Sequence, residues 1–264
     1  MIHCLLTAGE RPKTALSPEE KLTISMDLSE RQKNLLRSII EKYIETGEAV
    51  GSETIEKQAS LGVSPATIRN EMVRLTNFGY LRQPHTSAGR IPTSVGLKFF
   101  VDQLMEERTL SLKDEVAIKE ELSEPSDRFE QLLKHAAKVL AVQTHSLAIV
   151  TDENDEVYPA GMANILDIPE FYDIDITRSV LSMIEKIEML NQIFSQLLPE
   201  EQTKIFFGEE LNMPYLELCG FAVSRYRSPN HNGLIGVIGP NRLNYPMVIP
   251  TLRYFSQILS DSRI

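Results

Sequence analysis

The sequence predicts an α+β protein. A winged helix-turn-helix domain comes first, followed by a larger α+β domain whose sheet is mostly antiparallel. Three observations carry this. Between residues 29 and 77, apolar residues recur at helical spacing in blocks separated by glycine-containing turns. Residues 80–92 then read as two short strands around a loop marked by Pro84, Ser87 and Gly89. Beyond residue 146 the texture changes to strands with amphipathic helices between them.

Residues 1–25 show no sustained period and contain Gly9, Pro12 and Pro18, so they read as a flexible extension ahead of Met26 with no function of its own. The first domain is placed at 26–105. Ser29 and Gln32 form a capping-box pattern ahead of Leu35, Leu36, Ile39, Ile40, Tyr43 and Ile44, and Gly47 ends this helix. Ser52 starts a short second helix reaching about Ala59, and Gly62 closes the following turn. A third helix opens at Ser64 with Pro65 at its first position, the favoured cap and start residues. Its Ile68, Met72 and Leu75 share one face, leaving Ala66, Thr67, Asn70, Arg74 and Asn77 on the other. After the Asn77-Phe78-Gly79 stop, Tyr80–Gln83 and Arg90–Pro92 form the wing. Thr93 caps a helix with Leu97, Phe99, Phe100, Val101 and Leu104 that leads out of the domain.

The second domain is placed at 106–264. Residues 106–146 are acidic and helical in period, split by Pro125. Strands are expected at 146–151, 156–162, 204–209, 216–226 and 233–238. An amphipathic helix at 176–198 carries Val180, Leu181, Ile184, Ile187, Leu190 and Ile193, and a last helix spans about 247–259.

The formal charge of −10 is unevenly spread. Residues 26–105 carry ten Lys/Arg and nine Asp/Glu, whereas 106–264 carry fourteen against twenty-five. Within 61–98 there are five cations, Arg69, Arg74, Arg82, Arg90 and Lys98, against the single acid Glu71. Because salt confines a charge's reach to about 8–10 Å, local sign outweighs the overall balance. A basic surface therefore survives inside an acidic protein.

That surface suits a DNA duplex. A third helix whose outward face is small, polar and cationic fits a major groove: Asn70 suits adenine edges, Arg69 and Arg74 guanine or phosphate, and the Thr67 methyl a thymine methyl. Amides near Ser64 and Ala66, at the helix start, suit a phosphate. In the wing, Arg82, His85, Thr86, Ser87, Gly89 and Arg90 would follow the backbone or enter the minor groove, where a narrow A·T tract favours arginine, with Arg90 the leading candidate.

Other chemistries find little support. The five histidines, His3, His85, His135, His145 and His231, lie in separate segments without chelating spacing, so no metal and no cofactor is expected. Cys4 and Cys219 are isolated, which argues against a disulfide framework. The glycines of Gly233–Gly239 lack the lysine and Ser/Thr of a phosphate loop, and no nucleophile, base and orienting acid stand together, so no catalytic residue is named. The apolar runs are too short to cross a bilayer and no secretion signal opens the chain, so a cytoplasmic location without membrane contact is expected.

Over Leu28–Met105 the chain resembles the HrcA family of heat-inducible transcription repressors. The likeness rests on Tyr43-Ile44-Glu45-Thr46-Gly47-Glu48, Val50-Gly51-Ser52, Ser64–Met72 and the run from Gly79-Tyr80-Leu81 to Arg90-Ile91-Pro92-Thr93. It resumes at Tyr158–Phe171, with its terminal Pro-Glu-Phe, and at Ile238-Gly239-Pro240-Asn241-Arg242-Leu243-Asn244-Tyr245. The resemblance implies a GAF-like second domain and a homodimer on an inverted-repeat operator of chaperone genes, with activity dependent on the GroE chaperonin. One departure is large. The family inserts a dimerising segment in the second domain, whereas here Ser146–Asp152 passes to Glu156 through a short acidic turn, so a dimer surface is expected on the helices of 106–143 and 176–198. The rivals to this reading are a small-molecule-responsive regulator of unrelated operons and a winged helix used for protein contact.

Overall fold

The computed structural model describes residues 28–58, 62–122, 128–186, 189–190, 193, 202–211 and 213–262. The expected extension at 1–25, the end of the second helix at Ala59, Pro125, Ile187 and the end of the 176–198 helix at 194–198 lie outside the described residues.

Helix α1 spans Glu30–Thr46, and both halves of its capping box form: the Ser29 side chain accepts from the Gln32 amide, and the Ser29 amide donates to Gln32 Oε1 at 3.0 Å. It ends at Gly47 in the left-handed region, φ 70°. Helices α2, Ser52–Gln58, and α3, Pro65–Asn77, complete the helix-turn-helix, with Gly62 at φ 65° in the connection. Ile55, Ile68, Met72 and Leu75 close over Leu35, Leu36, Ile39 and Ile40 of α1 to form the buried core of this half.

The wing is narrower than expected. Strands β1, Leu81–Arg82, and β2, Ile91–Pro92, pair antiparallel over two residues each, since Pro84 and Pro92 carry no amide to extend the ladder. A third element joins them: Val50 and Arg90 exchange amide-to-carbonyl hydrogen bonds of 2.9 Å in both directions. Thr93 caps α4, Ser94–Phe99, as expected. One π turn over Phe100–Leu104 then re-aims the chain toward the second half.

There, helices α5, Leu112–Leu122, and α6, Phe129–Thr144, precede a five-stranded sheet. Its strands are β3, Leu147–Thr151; β4, Val157–Ala160; β5, Thr203–Phe207; β6, Cys219–Arg227; and β7, Asn232–Pro240, in the order β4-β3-β7-β6-β5 with every neighbour antiparallel. Among the described residues, α7, Ile174–Glu185, lies between β4 and β5, and the short α8, Gly208–Leu211, follows β5 where a longer strand was expected. The last helix, α9, covers Tyr245–Asp261.

The period of two in β3 divides the sheet between two cores. Ala148 and Val150 face the cluster built with α6 and α9, while Leu147 and Ile149 face the one built with α7. The first of these clusters runs without a break into the winged helix through Phe100, Leu104, Leu243 and Tyr245. β3 and β4 are joined by a tight turn in which Asp152 Oδ1 accepts from the amides of Asn154 and Glu156 at 2.8 and 2.9 Å.

Candidate nucleic-acid interface

Helix α3 is presented by its cap and by the face it buries. The Ser64 hydroxyl accepts from the Thr67 amide at 3.3 Å and touches the Thr67 hydroxyl at 3.1 Å, and Pro65 supplies the first helical turn without wasting a donor. With Ile68, Met72 and Leu75 buried, Ser64, Ala66, Arg69, Asn70, Arg74 and Asn77 are exposed and Thr67 is half-buried. Val73 is also exposed on this helix, a position the sequence reading left out.

The wing carries Arg82, His85, Thr86 and Ser87 in the open, with Gly89 and Arg90 half-buried at its base. Gln83, absent from the expected set, organises the loop: its Nε2 donates to the carbonyls of Thr86 and Ala88, both at 2.9 Å. Gly89 is there for want of space. A Cβ at this position would sit 2.4 Å from the Val50 carbonyl, inside the bridge that ties the wing to the segment before α2. Arg90 faces inward more than its charge suggested, with Nε donating to the Thr76 hydroxyl at 3.1 Å and so joining the wing base to α3.

Helix and wing meet in one cleft of about 460 Å³. Arg69 and Met72 line it from α3, Ser52, Glu53 and Thr54 from α2, and Gln83, Thr86, Ser87 and Arg90 from the wing. Most of these side chains donate hydrogen bonds, and two, Arg69 and Arg90, carry positive charge against one carboxylate, that of Glu53. Asn70 and Arg74 stand outside the cleft on the outer face of α3, while Arg82 and His85 reach out along the wing.

The acid that the charge count had to admit is not on this surface. Glu71 is buried, with Oε1 accepting from Arg31 at 2.8 Å and from Arg74 at 3.2 Å, and Oε2 accepting from Gln32 Nε2 at 2.9 Å. The exposed face of α3 therefore offers Arg69 and Arg74 to solvent with no acid of its own. A local pattern does not reveal this, because Glu71 sits at helical spacing beside the apolar stripe and two of its three partners, Arg31 and Gln32, are about forty residues away. Among the described residues no group of three or more His, Cys, Asp and Glu converges to hold a metal, and no helix is long and apolar enough to cross a membrane.

Comparison with known proteins assigns both halves. A family model described as the winged helix-turn-helix transcription repressor, HrcA DNA-binding, matches residues 27–104, and one described as the HrcA protein C terminal domain matches residues 97–249. The chain belongs to the HrcA family. Relatives named heat-inducible transcription repressor HrcA include those of Carboxydothermus hydrogenoformans, 29% identical, and Symbiobacterium thermophilum, 28% identical, each aligned over 89% of this chain and 98% of its own length. That of Thermomicrobium roseum is 24% identical over 90% of this chain and 96% of its own. The alignment with the first runs over 335 positions but takes in 89% of a 264-residue chain, so about 100 positions face gaps here. Within the aligned span this chain is shorter than that relative. A crystal structure described as that of a hypothetical protein at 2.2 Å resolution shares its fold, with a TM-score of 0.75 at 19% identity over 89% of this chain and 98% of the other.

Proposed function

We propose that this HrcA-family chain represses chaperone-operon transcription by seating α3 in a major groove of double-stranded DNA while the wing holds the flanking backbone. The single observation that carries the reading is the convergence of α3 and wing on one donor-rich cleft, in which Glu53 of α2 is the one acid among the lining residues and from which Glu71 is withdrawn into the protein. Ala66, Thr67 and Asn70 are assigned to base edges, and Arg74 to guanine or phosphate. Ser64, Arg69, Arg82, His85, Thr86, Ser87, Gly89 and Arg90 are assigned to the backbone and minor groove. The DNA-reading unit ends near residue 105, and the remainder sets assembly and responsiveness in the cytoplasm.

An inverted-repeat operator calls for two copies, spaced by whole helical turns. Without the family's insertion the pairing surface is assigned to the helices. Support comes from Leu112 and Val116, exposed one turn apart on α5, and from exposed Val142 on α6. Dependence on the GroE chaperonin completes the proposal by family resemblance.

A gel shift against chaperone-operon promoter fragments from the source genome, with light scattering on the same sample, tests the reading. A retarded band that competes with the cognate promoter but not with random duplex, and the mass of two chains, is the expected result. Equal affinity for random duplex would remove the operator, and failure to bind either would remove the DNA reading altogether.

A further inference from the structure

The Glu71 carboxylate gathers two guanidinium groups from different helices. Arg31, in the first turn of α1, and Arg74, near the end of α3, both donate to Glu71 Oε1, at 2.8 and 3.2 Å. Their side chains are 51% and 62% exposed, while that of Glu71 is 6% exposed. The acid lies beneath the two cations and does not screen them from solvent. Its other oxygen is held by Gln32 Nε2 at 2.9 Å, and Gln32 Oε1 is held in turn by the Ser29 amide, so the carboxylate is fixed to the start of α1. Each guanidinium has five N–H donors. The bond to Glu71 takes one group on each, Nη2 of Arg31 and Nη1 of Arg74. The cluster carries one net positive charge, with further donors turned outward beside the exposed face of α3.

We infer that Arg31 and Arg74 together form a seat for one DNA backbone phosphate, with Glu71 as the positioning residue that holds the pair. Arginine suits this work because its planar fork matches phosphate oxygens and its charge is permanent. A carboxylate beneath the pair restrains two long side chains that would otherwise lose rotamer freedom on binding. The seat joins α1 to the interface. It lies at the edge of the base-reading face, so it adds affinity and register but no sequence preference. The inference rests on the proposal that the chain binds DNA.

The test uses the full chain, a chaperone-operon promoter fragment and a random-sequence duplex, titrated over a range of salt. Arg31→Ala is expected to weaken both complexes by the same factor, about five- to tenfold at physiological salt, and to lower the log-log salt slope by about 0.9. Arg31→Lys keeps the slope and recovers part of the affinity, since charge is retained without the fork. Glu71→Gln separates positioning from bulk charge, because it makes the surface more positive. On the seat, affinity falls despite the added charge; if Glu71 served only to neutralise, affinity for both duplexes rises. An unchanged slope in Arg31→Ala, or a rise in Glu71→Gln, overturns the seat while wild-type binding leaves the DNA reading standing. Absence of wild-type binding to either duplex removes both. Thermal melts of the variants separate a folding defect from a binding one.

Discussion

Single residues decide whether the interface forms at all. Gly89 sits where an added Cβ would come 2.4 Å from the Val50 carbonyl and 2.9 Å from the Gly51 amide. Backbone atoms cannot swing aside as a side chain can, so Gly89→Ala must open the Val50–Arg90 bridge or move the wing. The expected cost is about 1–3 kcal/mol in thermal unfolding, the range for overpacked sites, with a larger loss in duplex binding. A variant that keeps both would show the bridge to be dispensable. Asn70 is the opposite case. It is exposed and hydrogen-bonds through its side chain to none of the described residues, so Asn70→Ala should leave unfolding within about 0.5 kcal/mol of wild type. Its proposed adenine contact should cost about 1–3 kcal/mol in operator affinity, read by titration against cognate and mutated promoter. Arg90 shows where sequence runs short at this scale. A wing arginine looks the same in one dimension whether it reaches solvent or, as here, turns its Nε to the Thr76 hydroxyl.

Elements were legible in proportion to how local their causes are. The bounds of α1 and α3 follow from Ser29 and Gln32, from Ser64 and Pro65, and from the apolar period between cap and stop, all written within a few residues. The same locality made α3 recognisable as the candidate reader. What escaped depends on distant partners: the third wing strand at Val50, the π turn at Phe100–Leu104 and the turn of helix at Gly208–Leu211. The last is a packing decision. A Cβ on Gly208 would lie 1.5 Å from the Leu216 carbonyl, so the chain there is set by a neighbour eight residues on. For α3 the local cause can be tested directly. Ser64→Ala removes the side-chain acceptor for the Thr67 amide and frees the Thr67 hydroxyl. It should cost about 1 kcal/mol of stability, measured by chemical denaturation. Operator affinity should fall further, because the frayed turn carries Ala66 and Thr67. Ser64→Asp, which retains a cap acceptor, should restore stability while repelling phosphate.

At the scale of the whole molecule, two segments far apart in sequence, Pro169-Glu170-Phe171 and Asn241-Arg242, meet on the end of α1. Arg242 Nε and Nη2 take the two oxygens of Glu170 at 2.5 and 2.9 Å, and Nη1 donates to the Ile44 carbonyl at 3.3 Å. The cation thereby satisfies one of the carbonyls that α1 leaves unpaired and sits at the negative end of its dipole. Gly47 admits it: a Cβ there would come 2.9 Å from Arg242 Nε. Beside the pair, the Tyr43 hydroxyl donates to Asn241 Oδ1 at 3.4 Å, and burial together with the nearby Glu170 charge holds its pKa above the ordinary phenol value, keeping the proton in place. A second tie, from Ser94 to Glu209 at 2.5 Å and from Lys98 to Glu210 at 3.0 Å, fastens the other side of the winged helix. If these ties set how the DNA-reading half sits on the rest, loosening one should act at a distance from the interface. Arg242→Ala leaves Glu170 largely buried without its partner, so stability should fall by about 3 kcal/mol, the lower end for a broken buried pair. Hydrogen exchange should rise at the amides of residues 44–48 while those of α3 keep their protection. The double variant Arg242→Ala/Glu170→Gln should recover part of the loss, because it no longer strands a charge. Strict additivity of the two substitutions would mean that the ion pair carries no coupling, leaving the continuous apolar core through Phe100, Leu104 and Leu243 to join the two halves alone.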